Sequence, residues 1–434
     1  DGALLPAFLY VSNGDPAAAE AVTRGNQRVL DGRLADAEFA YDRDLAEGLP
    51  AMAGRLGAVV FHEKLGSLAD KAARLGGLVA GLASGAAARG EAVVEVLAAE
   101  AAGGNGSSAK DDPLAATLKR AAALAKADLV SQVVIEFPIL QGTMGELYAR
   151  AAGEPEEVAR AVGEQYLPLS ATAPVPATLA GGLLAVAEKA DNIAGAWVAG
   201  AKPSGSRDPY GLRRAAMGIV RIALQYSLRF NVRGLLGSAL DQYEAQGAAE
   251  LDDAARAGLL DETEAFVFER LQALLLDEGL PFAVVEAALG APAGDVPALA
   301  ARARVFAALA GRDLLEDAVV AYDRCASLAG KAGAASERPP DPALFGDEAE
   351  RVLAAALAEA APAVLDALDH LEIESALAAA ARLRPAVDRY FDAVLVMDKD
   401  DAIRDNRLAQ LAAVTGLLGR IGALDRLPTQ EEAR

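Results

Sequence analysis

Apolar residues recur at intervals of three and four along most of this chain, the repeat by which a helix buries one face. Over 26–48 the spacing of Val29, Leu30, Arg33, Leu34 and Phe39 predicts a helix, and 61–82 reads as another. Further helices are expected over 113–136, 142–152 and 156–166, with 168–176 as a connector. Residues 7–12, Ala-Phe-Leu-Tyr-Val-Ser, read instead as a short strand, the end of something upstream.

The stretch 177–198 is a long apolar helix interrupted by Gly181-Gly182 and carrying the polar cluster Glu188, Lys189, Asp191 and Asn192. A loop follows over 199–208. Asp208-Pro209 has the signature of a helix start, a side-chain acceptor followed by a proline for the first turn. Beyond it Leu212, Ala216, Ile219, Ala223 and Tyr226 share one face, while Arg214 and Arg221 share another. Helical spacing continues over 251–276 and 281–289, and after a boundary at 292–297 over 296–309, 314–330, 347–371, 373–396 and 400–418. The Pro-rich stretch 336–342 interrupts that series. No repeat of fixed period is visible. The fold class read from this pattern is all-α.

Composition agrees. Hydrophobic residues make up 53% of the 434, aromatics only 5%, and the Ala and Leu that dominate are strong helix formers. The length predicts more than one domain. Cys325 stands alone, so no internal disulfide can form and a reducing compartment is expected. No run of about 18 apolar residues has membrane-spanning character. The chain opens on Asp1 without a basic leader, and it is read as a fragment or trimmed chain.

The net charge of −21 argues against indiscriminate nucleic-acid binding. Locally the balance reverses. Residues 202–233 hold seven Lys or Arg against Asp208 alone, a net of +6, and 234–300 hold thirteen acids against two arginines, a net of −11. The candidate surface is Lys202, Arg207, Arg213 and Arg214, on a loop and the first turn of a helix, where guanidinium forks can pair with phosphate oxygens. The other reading of Arg213 and Arg214 is structural, tying their helix to Asp191 or Glu188.

Chemistry-bearing motifs are scarce. His62 and His370 are the two histidines, far apart, and neither a Cys pair nor an HExxH or EF-hand pattern is present. No phosphate-binding glycine loop follows a strand, and no nucleophile elbow occurs. The chain is expected to hold no catalytic residue, no metal and no cofactor of its own.

Several strings together resemble the β subunit of bacterial-type glycyl-tRNA synthetase. They are Arg24-Gly-Asn-Gln-Arg-Val-Leu30 with Arg33-Leu-Ala-Asp-Ala37, His62-Glu-Lys-Leu-Gly-Ser67, Lys126-Ala-Asp-Leu129, and Glu136-Phe-Pro-Ile-Leu-Gln-Gly142 with Met144-Gly145. The strongest is Ala187-Glu-Lys-Ala-Asp-Asn192 leading into Lys202-Pro-Ser-Gly-Ser-Arg-Asp-Pro-Tyr-Gly-Leu-Arg-Arg214. Tyr390-Phe-Asp-Ala-Val-Leu-Val-Met397 and Ile403-Arg-Asp-Asn-Arg-Leu408 follow. They run in family order across nearly the whole chain.

The resemblance implies an upstream remnant at 1–44, an HD-like helical domain at 45–232, an acidic helical linker at 233–310 and an anticodon-binding helical domain at 311–434. It implies tRNA(Gly) and the α subunit as partners, separate or fused, with ATP and Mg²⁺ used by the α portion and no membrane involved. A cytoplasmic place in bacteria is expected, or an organelle stroma or matrix if a presequence was trimmed. Asp191 matches the last aspartate of the HD motif, but the His-Asp dipeptide is absent, so the domain is expected to be catalytically silent. Two departures stand out: an Ala/Gly-rich insertion at 84–112, and Gly-Ser-Arg-Asp-Pro in place of the commoner Gly-Ser-Lys-Asp-Pro. Arg404 and Arg407 are the candidates for the anticodon region, with Tyr390 or Phe391 as stacking platforms or, alternatively, core. The rival functions are an HD-type metal phosphohydrolase and a non-catalytic helical scaffold.

Overall fold

A computed structural model describes residues 5–88, 112–205, 207–291, 295–331, 333 and 338–428. The fold is mainly helical, with one two-stranded antiparallel hairpin among the described residues, Val60–His62 against Gly66–Ser67. Most of the expected insertion, 89–111, lies outside the described residues.

The architecture is organised around the helix Leu179–Val198, of whose twenty residues seventeen are buried. The helices Leu68–Ala88, Pro113–Leu124, Glu156–Glu164, Leu212–Gln225 and Val232–Ala245 all pack on it. Glycine makes this closeness possible. A Cβ at Gly181 would lie 2.0 Å from Glu164 Oε2, and one at Gly195 would lie 2.2 Å from Tyr243 Oη. Glycine inside a helix costs about 1 kcal/mol against alanine, and here it lets two neighbours reach the helix axis.

A helix buried all round should be apolar, yet this one carries charges at its centre, and its two carboxylates, Glu188 and Asp191, are answered from other elements. Asp191 is fully buried between Arg74 Nε and Lys71 Nζ, both at 2.6 Å. Arg74 also donates to Leu65 O at 3.1 Å and Gln246 Oε1 at 2.7 Å, and its guanidinium lies 4.1 Å from the centre of the Tyr243 ring. Tyr243 closes the circuit by donating to the Asp191 carbonyl at 3.0 Å. Three helices are thereby fixed in register.

Buried carboxylates also shape the neighbouring loops. Asp44 accepts from the amides of Gln132 and Val133 and from Tyr148 Oη. Asp128 accepts from Gly142 N at 2.6 Å and Tyr166 Oη at 2.9 Å. Burial pushes the Asp128 carboxyl up, against these hydrogen bonds.

Several expectations are corrected. Residues 7–12 form no strand. Residues 61–82 are not one helix: the hairpin occupies their start, and the helix begins at Leu68 because Ser67 and Asp70 cap each other reciprocally, at 2.7 and 3.2 Å. The expected helix 113–136 stops at Leu124, where Lys126 takes a left-handed φ of 68°, and resumes as the short pieces Ala127–Val130 and Gln132–Glu136. Residues 373–396 split into Ile373–Ala381 and Arg384–Ala393, since Pro385 cannot donate to the preceding turn. The first residues of the Ala/Gly-rich insertion, 84–88, continue the helix Leu68–Ala88.

The long helix Ala19–Glu47 buries Asp44 alone, and its apolar stripe, including Val29, Leu34 and Phe39, stays exposed. The C-terminal helices Asp313–Ala329, Glu348–Asp369, Ile373–Ala381, Arg384–Ala393 and Asp401–Gly419 form a bundle. Arg229 links the two halves, bonding Asp295 at 2.9 Å and the Asp369 carbonyl. No helix among the described residues is long and apolar enough to cross a membrane.

Replacing Asp191 by Asn keeps the shape but leaves Arg74 without its carboxylate and Lys71 with only Glu188, at 3.9 Å. Loss of one partner from a buried ion pair costs about 3–5 kcal/mol. Urea unfolding should therefore show a midpoint well below that of the parent with an unchanged slope; an unshifted midpoint would contradict this account of the core.

Candidate nucleic-acid interface

The basic segment begins where the buried helix ends. Gly200, at φ 74°, turns the chain outward, and a tight turn follows in which the amides and carbonyls of Ser204 and Arg207 bond each other at 2.9 and 3.1 Å. The next helix is Leu212–Gln225, not a helix opened by Asp208-Pro209 as the sequence predicts. The capping role of Asp208 survives at longer range: its carboxylate accepts from Leu212 N at 2.8 Å and Arg213 N at 2.9 Å. Gly211, at φ 66°, supplies the left-handed turn between.

The seven cations of 202–233 have different fates. Lys202 pairs with Glu262, which also accepts from Trp197 Nε1 at 2.8 Å, and Arg233 pairs with Asp261 and Glu264. Part of the charge asymmetry is thus spent on joining this segment to the acidic helix Asp253–Asp277. Arg229 is engaged with Asp295 as described. The other four keep their full charge. Arg213 donates to Gly205 O at 2.6 Å, Arg214 to Leu169 O at 3.4 Å, and Arg221 to Ala171 O and Ala173 O, both at 2.8 Å. Arg207 is exposed and, among the described residues, has no side-chain partner. Carbonyl groups orient a guanidinium without neutralising it, so a positive surface remains around Arg207, Arg213, Arg214 and Arg221. Arg213 and Arg214 do not tie their helix to Asp191 or Glu188, because those carboxylates are taken by Lys71, Arg74 and Lys126.

Behind Arg214 the structure opens a cavity of about 480 Å³, lined among others by Lys71, Lys126, Glu188, Lys189 and Tyr210. Lys126 Nζ donates to Glu188 at 3.0 Å and sits 3.9 Å from the centre of the Tyr166 ring. Burial acts to raise the Glu188 carboxyl, but the Lys126 and Lys71 ammoniums overcome it and hold the group well below the usual carboxylate range. Lys71 and Lys126 were not singled out from the sequence. The available signal was, for Lys71, a charge inside the Ala/Leu/Gly-rich helix Leu68–Ala88 and, for Lys126, the string Lys126-Ala-Asp-Leu129.

The C-terminal candidates divide. Arg407 is interior, bonding Glu350 at 3.0 Å, Asp398 at 2.8 Å and the Leu395 carbonyl at 2.9 Å. Its position corrects the expectation that it faces RNA: it braces the segment 394–400 against the bundle. Arg404 lies nearer the surface, paired with Asp401 and Asp405. Tyr390 is fully buried and packs edge-on against Phe391, so of the two readings for Tyr390 the core one holds. Phe391 is half-buried beneath Arg324, whose guanidinium is 5.2 Å from its ring centre. Leu395 and Met397, on the loop that Arg407 holds, are exposed.

This contrast is measurable. Arg407→Ala leaves the fully buried Glu350 without its charged partner and should lower stability by about 3 kcal/mol or more. Arg404→Ala removes only solvent-exposed pairs and should change it by less than about 1 kcal/mol. Equal urea midpoints for the two variants would refute the assignment.

Comparison with known proteins places this geometry in context. A family model described as glycyl-tRNA synthetase beta subunit matches residues 1–290, and one described as DALR anticodon binding domain matches residues 319–424. A glycine–tRNA ligase beta subunit of Nitratidesulfovibrio vulgaris (strain DSM 19637 / Miyazaki F) is 42% identical over 97% of this chain and 57% of its own length. The proteins of the same description from Chromohalobacter salexigens and Pseudomonas fluorescens (strain SBW25) are each 37% identical over 98% of this chain, and over 57% and 58% of their own lengths. The chain thus spans a little over half the length of these relatives. On the extent of these matches, the chain belongs to the glycyl-tRNA synthetase beta subunit family.

Proposed function

We propose that this chain is the tRNA-holding part of a glycine–tRNA ligase. It grips tRNA(Gly) while an α catalytic portion, separate or fused, joins glycine to the tRNA with ATP and Mg²⁺. The observation that carries this reading is the set of guanidiniums around the 199–211 loop. Arg207, Arg213, Arg214 and Arg221 remain uncompensated by carboxylates in a chain whose net charge is −21. An acidic protein that keeps such a patch repels polyanions everywhere else and accepts one there. Lys202 contributes at the edge, held by Glu262.

In this reading 45–232 is the HD-like domain, 233–310 the linker, and 311–434 the anticodon-binding domain, with 1–44 belonging to an upstream unit. The accessible groups at the C-terminal end are Arg404, half-buried Phe391, and Leu395 and Met397 on their exposed loop. Unstacked anticodon bases are recognised by such mixtures of apolar platforms and cations. The HD-like domain works as a binding unit. Asp191, the one residue matching that motif, has its carboxylate oxygens occupied by Lys71 and Arg74.

Filter binding of transcribed tRNA(Gly) across a salt series tests the proposal. Affinity should fall steeply with salt. Arg207→Ala combined with Arg213→Ala should weaken binding several-fold and flatten the salt dependence by about one unit of slope per phosphate contact removed. A double variant that binds like the parent at every salt concentration would move the RNA to another surface. Adding the α subunit and following glycine charging tests the division of labour: the chain alone should be silent, and the mixture active.

A further inference from the structure

The cavity behind Arg214 has a charge balance that its own walls do not satisfy. Four lysines and arginines line it among the described residues, Lys71, Lys126, Lys189 and Arg214, with Arg74 buried beside Lys71 on Asp191. The nearby carboxylates are Asp128, Glu188 and Asp191, and all three are already engaged. Arg74 and Lys71 hold Asp191, Lys126 and Asn192 hold Glu188, and Tyr166 with the Gly142 amide holds Asp128. Positive charge is left over beside side chains that are themselves buried, Lys126 and Lys189 each at 3% exposure.

Most of the excess sits at two side chains. Lys189 is only 3% exposed, and among the described residues its one hydrogen bond is to the Gln165 carbonyl at 3.4 Å. An ammonium carries three donors, so Lys189 is under-used. Burial pushes it down to about 8, with the Glu188 carboxylate opposing and the charges of Lys126, Arg214 and Lys71 reinforcing the fall. Below that pH it remains a buried cation. Arg214 stands at the mouth with the single long bond to Leu169 O, leaving the rest of its fork free.

We propose that this cavity is a binding site for a phosphate group, seated between Lys189, Lys126 and Arg214. Its size exceeds that of one phosphate and falls within the range of about 300–1,000 Å³ typical of small-ligand pockets. Of the rings that line the cavity, Tyr166 and Phe61 lie against the ammoniums of Lys126 and Lys71, at 3.9 and 4.7 Å from the ring centres, whereas the exposed Tyr210 has no cation on its ring among the described residues; a nucleoside carried by the phosphate therefore has the Tyr210 ring to pack against. The site shares Arg214 with the outward-facing RNA surface, while Lys126 and Lys189 lie buried inward of it, and the proposal does not depend on that reading.

The test is calorimetric titration of the full chain at pH 7 and low salt with inorganic phosphate and, separately, with adenosine monophosphate. One site per chain is expected for both, tighter for the nucleotide if the Tyr210 ring takes the base. Lys189→Met and Arg214→Ala, each checked by circular dichroism, should each weaken binding by about tenfold or more, the scale of a lost charge-assisted bond. Saturating phosphate should also protect Lys189 from acetylation, read on its peptide by mass spectrometry, and this needs no substitution. Absence of binding by the parent chain, absence of protection, or loss of binding in Arg214→Ala alone with Lys189→Met folded and unchanged would overturn the proposal. A chain that binds tRNA through Arg207 and Arg213 but neither small ligand would fail this proposal and leave the RNA reading standing.

Discussion

The buried carboxylate of Asp191 is the constraint on which the N-terminal half depends. A charge at the middle of a fully packed helix is unfavourable unless it is met on all sides. Arg74 and Lys71, from one neighbouring helix, meet the carboxylate itself, while Tyr243 donates to the Asp191 carbonyl and Gln246 accepts from Arg74 from the chain around another, so all of these bonds form together in one relative placement only. Apolar packing alone would tolerate sliding of these alanine- and glycine-rich surfaces. The ionic centre supplies the register that small side chains do not.

The same principle sets the loops. Asp44 and Asp128, each buried, organise amides from segments far away in the chain, Asp44 across 88 residues to Gln132 and Asp128 across 14 to Gly142. The segment between Leu124 and Gly142 breaks from helix because its polar groups find better partners in these carboxylates than in a continued ladder. The break places Lys126 against Glu188 and Tyr166 and so builds one wall of the cavity. In the C-terminal bundle Glu350 plays the corresponding part, accepting from the Gly346 and Asp347 amides as well as from Arg407.

Charge in this chain therefore serves two ends that composition cannot separate. Lys202 and Arg233 turn toward the acidic helix Asp253–Asp277 and bind the fold together, while Arg207, Arg213, Arg214 and Arg221 meet only carbonyls or solvent. A carbonyl partner is the decisive difference, since it fixes an arginine in place without cancelling its field.

Much of the fold was legible in the amino-acid order. Apolar residues at helical spacing located most helices, because that periodicity follows from the geometry of the helix itself. Asp208 as a side-chain acceptor and the Glu188–Asn192 cluster were also visible, being local, although the helix after Asp208 starts at Leu212 and not at Pro209. Helix breaks at Leu124 and Arg382, and the hairpin before Leu68, escaped, since they depend on caps and kinks spanning one or two residues. What the tertiary structure alone decided was which charges face inward. Arg404 and Arg407 are three residues apart on one helix and look equivalent in sequence, yet Arg407 is enclosed by Glu350 and Asp398 while Arg404 lies at the edge. Lys71, Lys126 and Lys189 meet around one cavity although no local pattern relates them. Burial and partnership are properties of the assembled helices, and pairing across a hundred residues leaves no trace in spacing.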